Sequence, residues 1–324
     1  MMKKALFTMA VLAMVGLMVS CQKDGVFSPK NKVSKIYREY QEIRDGQTVN
    51  SMSKTLYNVW NWQDDKLVSI DYMSGGQVSY TETYTYDGDH IVSAACTYEG
   101  STEVFSNQVM TYDGSKLVKI EYFSRGTLTS TYTFTHKAGK IVQMDITYPE
   151  GTSDPYLDKS MPAMVRMMMP DMHTADIIER TASKAITYTY SMTYKFSYKG
   201  SNVSKIEIAD IRTRTENNIE EVYTDTEIIE YSYDGKSNPF YELISSSGPQ
   251  VLSKNNVLQA SETSKTTRTE NGELVQESNY LKPNVTDYTY TYEGDKPTVQ
   301  TGTNTYTSGS TTYSYITTMY YEYL

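Results

Sequence analysis

Cysteine is nearly missing from this 324-residue chain: only Cys21 and Cys96 occur. A disulfide framework is therefore excluded as the source of stability. Histidine is almost as scarce, and His90, His136 and His173 lie far apart, with no second histidine or cysteine at metal-ligand spacing. A grouping of His173 with Asp171 and Asp176 is conceivable, but single acids beside a histidine are common, and no metal site is expected. No Gly-x-Ser-x-Gly elbow, glycine-rich phosphate loop or Asp-x-Asp-x-Asp-Gly calcium loop is present. The carboxylate pairs Asp64-Asp65 and Glu220-Glu221 sit near turns, where solvated charge is expected. The reading is a chain with no catalytic residues and no cofactor. Positive charge is in deficit, 30 Lys and Arg against 39 Asp and Glu, for a net charge of -9. That balance disfavours nucleic acid and anionic membrane surfaces as partners. Long apolar runs are missing too: Ala5 to Met18 is shorter than the ~20 residues a transmembrane helix requires.

That short run nevertheless has meaning. Met1-Met2-Lys3-Lys4 is a basic start, the apolar stretch follows, and small residues lead to Cys21, the order of a secretory signal over residues 1–20. Val19-Ser20-Cys21 resembles the lipobox of bacterial lipoproteins, although Met18 stands where leucine is usual. The resemblance implies cleavage before Cys21 and acylation of its thiol, which makes a membrane the partner through the anchor. Gln22-Lys23-Asp24 is similar to the charged export tag of Bacteroides-group lipoproteins. It implies the outer membrane, with the cell surface preferred over the periplasmic face. Residues 21–32 then form a polar tether, and loss of Lys3 and Lys4 moves the charge from -9 to -11. Cys96, with Val92 and Ala94 on its face, is read as buried and inert.

From residue 33 onward one device repeats. Alternating aromatic and Thr or Ser residues meet a glycine turn, and an alternating aliphatic run follows. Tyr84-Thr85-Tyr86-Asp87-Gly88 leads into Ile91-Val92-Ser93-Ala94-Ala95-Cys96, and Met110-Thr111-Tyr112-Asp113-Gly114 into Lys116-Leu117-Val118-Lys119-Ile120. Asp-Gly between alternating runs is a strong hairpin signal, because glycine accepts the positive φ of tight turns. Period-two alternation places one set of side chains on one sheet face. The reading is all-β, an antiparallel up-and-down meander of about sixteen strands. Residues 33–324 form one barrel domain, with a methionine-rich irregular or helical insertion at 155–183 that includes a helical turn near Asp176–Arg180. A second interruption, about 237–257, reads as a long loop with a helical turn.

The Tyr-x-Tyr-Asp-Gly-x-Lys-Leu-Val-x-Ile device resembles the tyrosine–aspartate hairpin repeats of bacterial surface proteins. With the lipobox, Asn238-Pro239-Phe240-Tyr241 and Ser253-Lys254-Asn255-Asn256, it is similar to a family of Bacteroides-group lipoproteins with a porin-like domain of unassigned function. The resemblance implies a barrel in the cell envelope and brings no catalytic residues.

After each turn the apolar positions read Val68, Ile70, Tyr72; Val92, Ala94, Cys96; Val118, Ile120, Tyr122; and Val142, Met144, Ile146. Their neighbours Ser69, Asp71, Lys119, Glu121, Gln143 and Asp145 are polar, which is the pattern of a half-buried sheet. A round barrel of ~16 strands has a lumen too wide for its own side chains. An inward apolar face then requires flattening or a plug, and the methionines of 155–183 could supply it or form a satellite cluster under a loop. A membrane-spanning barrel is the competing arrangement; the tyrosine-rich apolar face and the redundancy of a lipid anchor weigh against it. The thirty-one tyrosines suit half-wet strands, or could stack on a ligand. Trp60 and Trp62 could form an aromatic platform or be core and rim residues. The expected role is a monomeric, lipid-anchored, non-catalytic envelope protein binding a glycan or a small apolar molecule; the alternative is a structural or protein-interaction surface protein.

Overall fold

The computed structural model describes residues 31–149, 165, 168, 189–216, 219–241, 252–279 and 282–324. The described strands are β1 (Val33–Arg44), β2 (Gln47–Gln63), β3 (Lys66–Ser74), β4 (Gln77–Asp87), β5 (His90–Tyr98), β6 (Val104–Asp113), β7 (Lys116–Ser124), β8 (Thr127–Lys137), β9 (Lys140–Thr147), β10 (Thr189–Lys199), β11 (Asn202–Glu216), β12 (Ile219–Ser237), β13 (Asn255–Glu270), β14 (Glu273–Asn279), β15 (Asn284–Glu293), β16 (Lys296–Ser308) and β17 (Thr311–Tyr323). From β2 to β14 each pairs antiparallel with the one before, β13 pairs also with β15, β15 with β16 and β16 with β17, and β17 returns to β1. Sixteen strands thus close a barrel, and β14 is extra. It takes the far end of β13, from Lys265↔Asn279 to Glu270↔Glu273, beyond the last β15 pair, Glu262↔Asn284. Closure leaves the barrel without free edges. Signal, tether and most of the 155–183 insertion lie outside the described residues.

We call lower the end where β1 begins and β17 finishes; the turns at Gly88, Gly114, Gly139, Gly200 and Gly294 are there too. Gly88 has φ 58° and Gly114 φ 60°, the left-handed conformation for which the Asp-Gly pairs are suited.

Just past seven of these lower turns the register slips by one residue. Trp62 pairs with Leu67 but Asn61 with Ser69, which leaves Val68 as the extra residue of a bulge. The same slip isolates Val92, Val118, Val142, Ser204, Leu258 and Thr298. This corrects the sequence expectation. The first inward residue is not Val68, Val92, Val118 or Val142 but Leu67, Ile91, Leu117 and Ile141, all 3 % exposed or less. A bulge shifts the parity of alternation, and Leu-Val or Ile-Val looks apolar in either phase. Beyond the bulge, Ile70, Ala94, Ile120, Met144 and Ile206 form a second buried layer.

The bulge also explains the tyrosine that precedes each turn. Tyr86 Oη donates to the Leu67 carbonyl at 2.8 Å, Tyr112 to Ile91 at 2.9 Å, Tyr198 to Ile141 at 2.7 Å, Tyr233 to Val203 at 2.5 Å, Tyr290 to Val257 at 2.8 Å and Tyr323 to Pro297 at 2.7 Å. Trp62 Nε1 fills the same role toward Val33 at 2.8 Å, and His136 Nε2 toward Leu117 at 2.7 Å. The eight bonds run round the whole lower end, and Leu324 N–H to the Lys32 carbonyl, 2.9 Å, ties the first strand to the last. His136 stands in this ring because it occupies a tyrosine position of the repeat. Trp62 is its first member and Trp60 is core, so the two tryptophans do not form an exposed platform.

The Asn-Pro-Phe motif sends a side chain into the interior. Asn238 Oδ1 accepts from Phe240 N at 3.0 Å, and the turn places the Phe240 ring 5.8 Å from Trp60 on β2 and 5.7 Å from Tyr321 on β17. Phe240 leaves β12 and reaches strands several places round the barrel, so it packs across the lumen. Ser253, fully buried, accepts from Val203 N at 3.1 Å and lies 3.0 Å from the Tyr233 hydroxyl. Of the methionine-rich insertion only Val165 and Met168 are described, and both are fully buried within the same apolar cluster.

The outward face is polar. Asn61 donates to Ser69 at 3.0 Å and to Asp71 at 2.9 Å, and Thr81 donates to Asp71 at 2.7 Å. Gln143 and Thr193 bond Asp145 in the same way.

Two outcomes follow. Phe240→Ala leaves a cavity at the centre of the lower core and lowers stability by about 3–5 kcal/mol, read as a shifted urea midpoint with an unchanged slope. The second concerns alkali. Burial raises the phenols of Tyr86, Tyr112, Tyr198, Tyr290 and Tyr323 above their ordinary value. A phenol that keeps its proton in the fold but ionises near pH ~10 when unfolded stabilises the barrel fully below that pH. That stability is lost as the pH rises from there toward the folded values. Tyrosinate absorbance should therefore rise with a cooperative step that coincides with loss of the circular-dichroism sheet signal above pH ~10; ionisation of every tyrosine with the sheet signal intact would contradict the buried ring.

Candidate functional site

The barrel wall is uneven. β3, β5 and β7 have nine residues each, whereas β2 has seventeen, β12 nineteen and β13 sixteen. The apolar layers sit in the lower half, so the long strands rise past the packed core and enclose an upper mouth. Inward positions there are found by counting alternate residues up from the buried ones.

On β16, β17 and β1 that count, from Met319 and Ile36, arrives at Tyr306, Tyr313, Tyr315 and Tyr40. Tyr306 is paired directly with Tyr313, and their rings stack at 5.2 Å and 15°. Tyr306 and Tyr315 stack at 6.0 Å and 22°, and Tyr315 and Tyr40 at 6.4 Å and 23°. Four nearly parallel rings form a staircase across three strands, and Tyr306 at its top is 42 % exposed. Arg44 lies over Tyr313 at 5.2 Å and 3.8 Å from Glu42. The hydroxyl shared with Tyr306, 3.5 Å away, together with burial, raises the Tyr315 phenol above its ordinary value. Burial and Glu42 raise Tyr40. Both therefore present neutral hydroxyls at ordinary pH.

Past β2 the rim has a second aromatic group. Tyr72 and Tyr80 are paired and stack at 4.4 Å and 14°; Phe105 meets Tyr80 edge-on at 5.8 Å and stacks on Tyr98 at 4.1 Å. Tyr98 is 53 % exposed.

The tall wall of β11–β13 carries charge in a cross-strand grid. Arg212 pairs with Asp225, Arg214 with Glu221 at 3.5 Å, and Arg268 with Glu221 and Glu270 at 2.5 Å each. Thr266 donates to Asp225 at 2.6 Å, and Tyr223 lies between Arg212 and Arg268, 5.8 and 5.7 Å from their guanidinium carbons. Each of the three arginines meets a carboxylate, and Asp210, Glu227 and Glu262 stand in the same inward phase, so this wall is polar with an excess of acid.

The floor of the mouth contains one carboxylate that the sequence reading passed over. Glu82 is fully buried; it accepts from Tyr84 Oη at 2.8 Å, Gln108 Nε2 at 2.8 Å and Tyr72 Oη at 3.4 Å. It lies between Tyr80 and Tyr84 in the alternation, and that phase was its only signal. Burial, then Glu82, hold the Tyr84 phenol well above its ordinary value. Cys96 shares this floor, and burial with the nearby Glu82 pushes its thiol up to about 12. Such a thiol is a poor nucleophile; it shares its buried face with Ala94 and not with Val92, which the bulge takes out of phase.

Of the other residues considered, His90 packs on Tyr112 at 4.7 Å, at the lower end and far from this mouth. Among the described residues no three of His, Cys, Asp and Glu come together to hold a metal. Cys21, Asp171, His173 and Asp176 lie outside the described residues. Chemically, the mouth offers flat aromatic faces, neutral phenols, cross-strand ion pairs and further carboxylates.

No family model matches the chain, and no curated protein matches it. Among solved structures it is similar to a porin-like protein from Bacteroides uniformis ATCC 8492, 12 % identical over 90 % of this chain and 98 % of that one, with TM-score 0.34. A porin-like protein from Bacteroides vulgatus ATCC 8482 is 11 % identical over 91 % and 99 %, with TM-score 0.32. A loop L8 deletion mutant of OmpT, an outer membrane protein of Vibrio cholerae, is 9 % identical over 90 % and 99 %, also with TM-score 0.32. Superpositions this loose say nothing of activity, and the barrel rests on its own strand register.

Proposed function

We propose that this chain is a non-catalytic cell-envelope protein, held at the outer membrane by acyl chains on Cys21, whose upper mouth binds a glycan or a small flat ligand. The observation that carries the reading is the stacked staircase of Tyr306, Tyr313, Tyr315 and Tyr40 above a packed floor. Tyrosines lower in the barrel have their hydroxyls committed to main-chain carbonyls and their rings to the core. Those of the staircase gain little from burial, and a half-exposed run of parallel rings suits the C–H face of a sugar ring. Glu42 and Arg44 beside it supply charged hydrogen-bonding groups for hydroxyls. The outward face, with Asp71, Asp145 and their amide and hydroxyl partners, belongs in water and not in lipid. A barrel with that exterior requires a separate attachment to a membrane, which the lipobox supplies. Acyl chains contribute about 0.8 kcal/mol per buried methylene, enough together to hold it there.

Both parts have direct tests. Calorimetric titration against neutral oligosaccharides should give saturable binding. Tyr306→Ala with Tyr313→Ala should weaken it roughly 10- to 30-fold, from about 1 kcal/mol per stacked ring, while Tyr306→Phe retains most of it. Absence of saturable binding across the panel, or equal binding by the double variant, sinks the ligand reading in favour of a surface that meets protein partners. For the anchor, cells fed a labelled fatty acid should yield labelled protein, and Cys21→Ser should abolish the label. A mature wild-type chain without fatty acid sinks the address.

A further inference from the structure

The net charge of -9 is unevenly spread, and the lower end departs from it on one side. Around the rest of that end the lysines stand among acids: Lys32 meets Asp65 at 2.7 Å, Lys66 meets Asp89 at 3.9 Å and Lys236 meets Asp295 at 2.7 Å, while Lys116 and Lys296 follow turns that carry Asp113 and Asp295. The neighbouring turns β8–β9 and β10–β11, with the chain entering β13, are different. They carry Lys137, Lys140, Lys199 and Lys254, and among the described residues none of the four has a carboxylate partner. Lys137, Lys199 and Lys254 are exposed. Lys140 is held upright, its ammonium donating to the Gly200 carbonyl at 2.5 Å and lying 4.7 Å from the Tyr198 ring. Lys254 N–H donates to the Ser201 carbonyl at 3.3 Å, which fixes the third segment against the second. Between the segments is a cleft of about 280 Å³ lined by Ala138, Gly139, Lys140, Tyr198, Ser201 and Leu252, with Tyr241 completing it. The described parts of these turns hold no acid to neutralise it.

We infer that this lysine-rimmed cleft docks the barrel onto the phosphate groups of the lipid surface to which it is tethered. The position in the fold selects this occupant. β1 begins at Val33 on the same end, twelve residues after Cys21, a length that reaches about 40 Å at most when extended. An acylated Cys21 therefore keeps the lower end, and not the upper mouth, within a short distance of the headgroups. Four unpaired ammonium groups at that distance are attracted to anionic phosphate, and the acidic remainder of the chain is repelled from it. The two effects together orient the barrel with its mouth away from the membrane. This orientation rests on the Cys21 anchor; the cleft's affinity for phosphate surfaces does not.

The test separates the two. The barrel closes within Val33–Tyr323, so a chain from residue 21 carrying Cys21→Ser retains all of it without an acyl group. Flotation with vesicles of phosphatidylcholine containing one third phosphatidylglycerol should carry it upward at low salt, and pure phosphatidylcholine vesicles should not. Replacing Lys137, Lys140, Lys199 and Lys254 by Gln should weaken the association at least tenfold, given about fivefold per lysine near such a surface. Replacing Lys265 by Gln and Arg125 by Asn, on the upper half, should leave it within twofold. Circular dichroism checks that every variant keeps its sheet. Equal flotation with neutral vesicles, no flotation with anionic ones, or a quadruple variant that floats like its parent overturns the proposal. So does full inhibition by inorganic phosphate but not by chloride of equal ionic strength, which would make the cleft a site for free anion. Loss of fatty-acid label from the wild-type chain would remove the anchor and leave the flotation result standing.

Discussion

The barrel depends on one recurring bond, from a ring N–H or phenol to a carbonyl that a bulge has released from the ladder. A bulge leaves a main-chain acceptor turned out of register inside an apolar layer, where an unmet carbonyl costs about 1–3 kcal/mol. The residue that meets it lies on the adjoining strand, two positions before the next turn in Tyr86, Tyr112 and Tyr198, four before it in Tyr290, and at the end of the last strand in Tyr323. Each hairpin therefore completes its neighbour, and none of the units is satisfied alone. Tyr86 secures Leu67 while its own turn leads to Ile91, which Tyr112 secures in turn. The logic continues round to Tyr323 and Pro297. Phenylalanine would fill the same space and leave the carbonyl bare, so tyrosine is needed at these positions for its hydroxyl as much as for its ring.

The same ring accounts for the choice of solvent on each side. Sixteen strands enclose more space than one layer of side chains can fill, and an apolar interior of that size is stable only if something occupies it. Phe240, between Trp60 and Tyr321, supplies part of the filling, and the buried Val165 and Met168 belong to the same cluster. The described exterior near Asp71 and Asp145 is polar. Asp71 and Asp145, each held by an amide and a threonine, would be costly in hydrocarbon and are satisfied in water. At these positions the wall is polar outside and apolar within.

Much of this was legible in the amino-acid sequence, for identifiable reasons. Asp-Gly pairs and period-two runs are local signals, so the strands, the lower turns and the all-β class can be read without the structure. The bulge cannot, because Leu67 and Val68 are both apolar and either could be the inward one. The ring bonds cannot, because each joins residues about twenty positions apart or more whose pairing depends on that bulge. Asn238-Pro239-Phe240 was visible as a motif, yet its role depends on which strands lie across the lumen, a property of closure alone. The staircase was hidden for a similar reason: Tyr306, Tyr313 and Tyr315 meet Tyr40 only because β17 returns to β1. Glu82 was the one site residue that alternation alone could have found, as a carboxylate in phase with Tyr80 and Tyr84.

The two ends of the barrel also divide the tyrosines by what their surroundings leave them. At the lower end a phenol has one carbonyl to serve, and its ring is covered by the lysine that follows a turn, as Lys66 covers Tyr86 at 5.0 Å and Lys296 covers Tyr323 at 5.2 Å. These contacts consume both the edge and the face of the ring. At the upper end the wall has outgrown the core, and no bulged carbonyl is bonded to Tyr306, Tyr313 or Tyr315. The rings stack on each other, because a tyrosine column is the cheapest way to keep aromatic surface partly dry without a core behind it. One residue type thus serves as a clasp where the barrel is filled and as an open surface where it is not. The dividing line is set by strand length, nine residues on β3 against nineteen on β12.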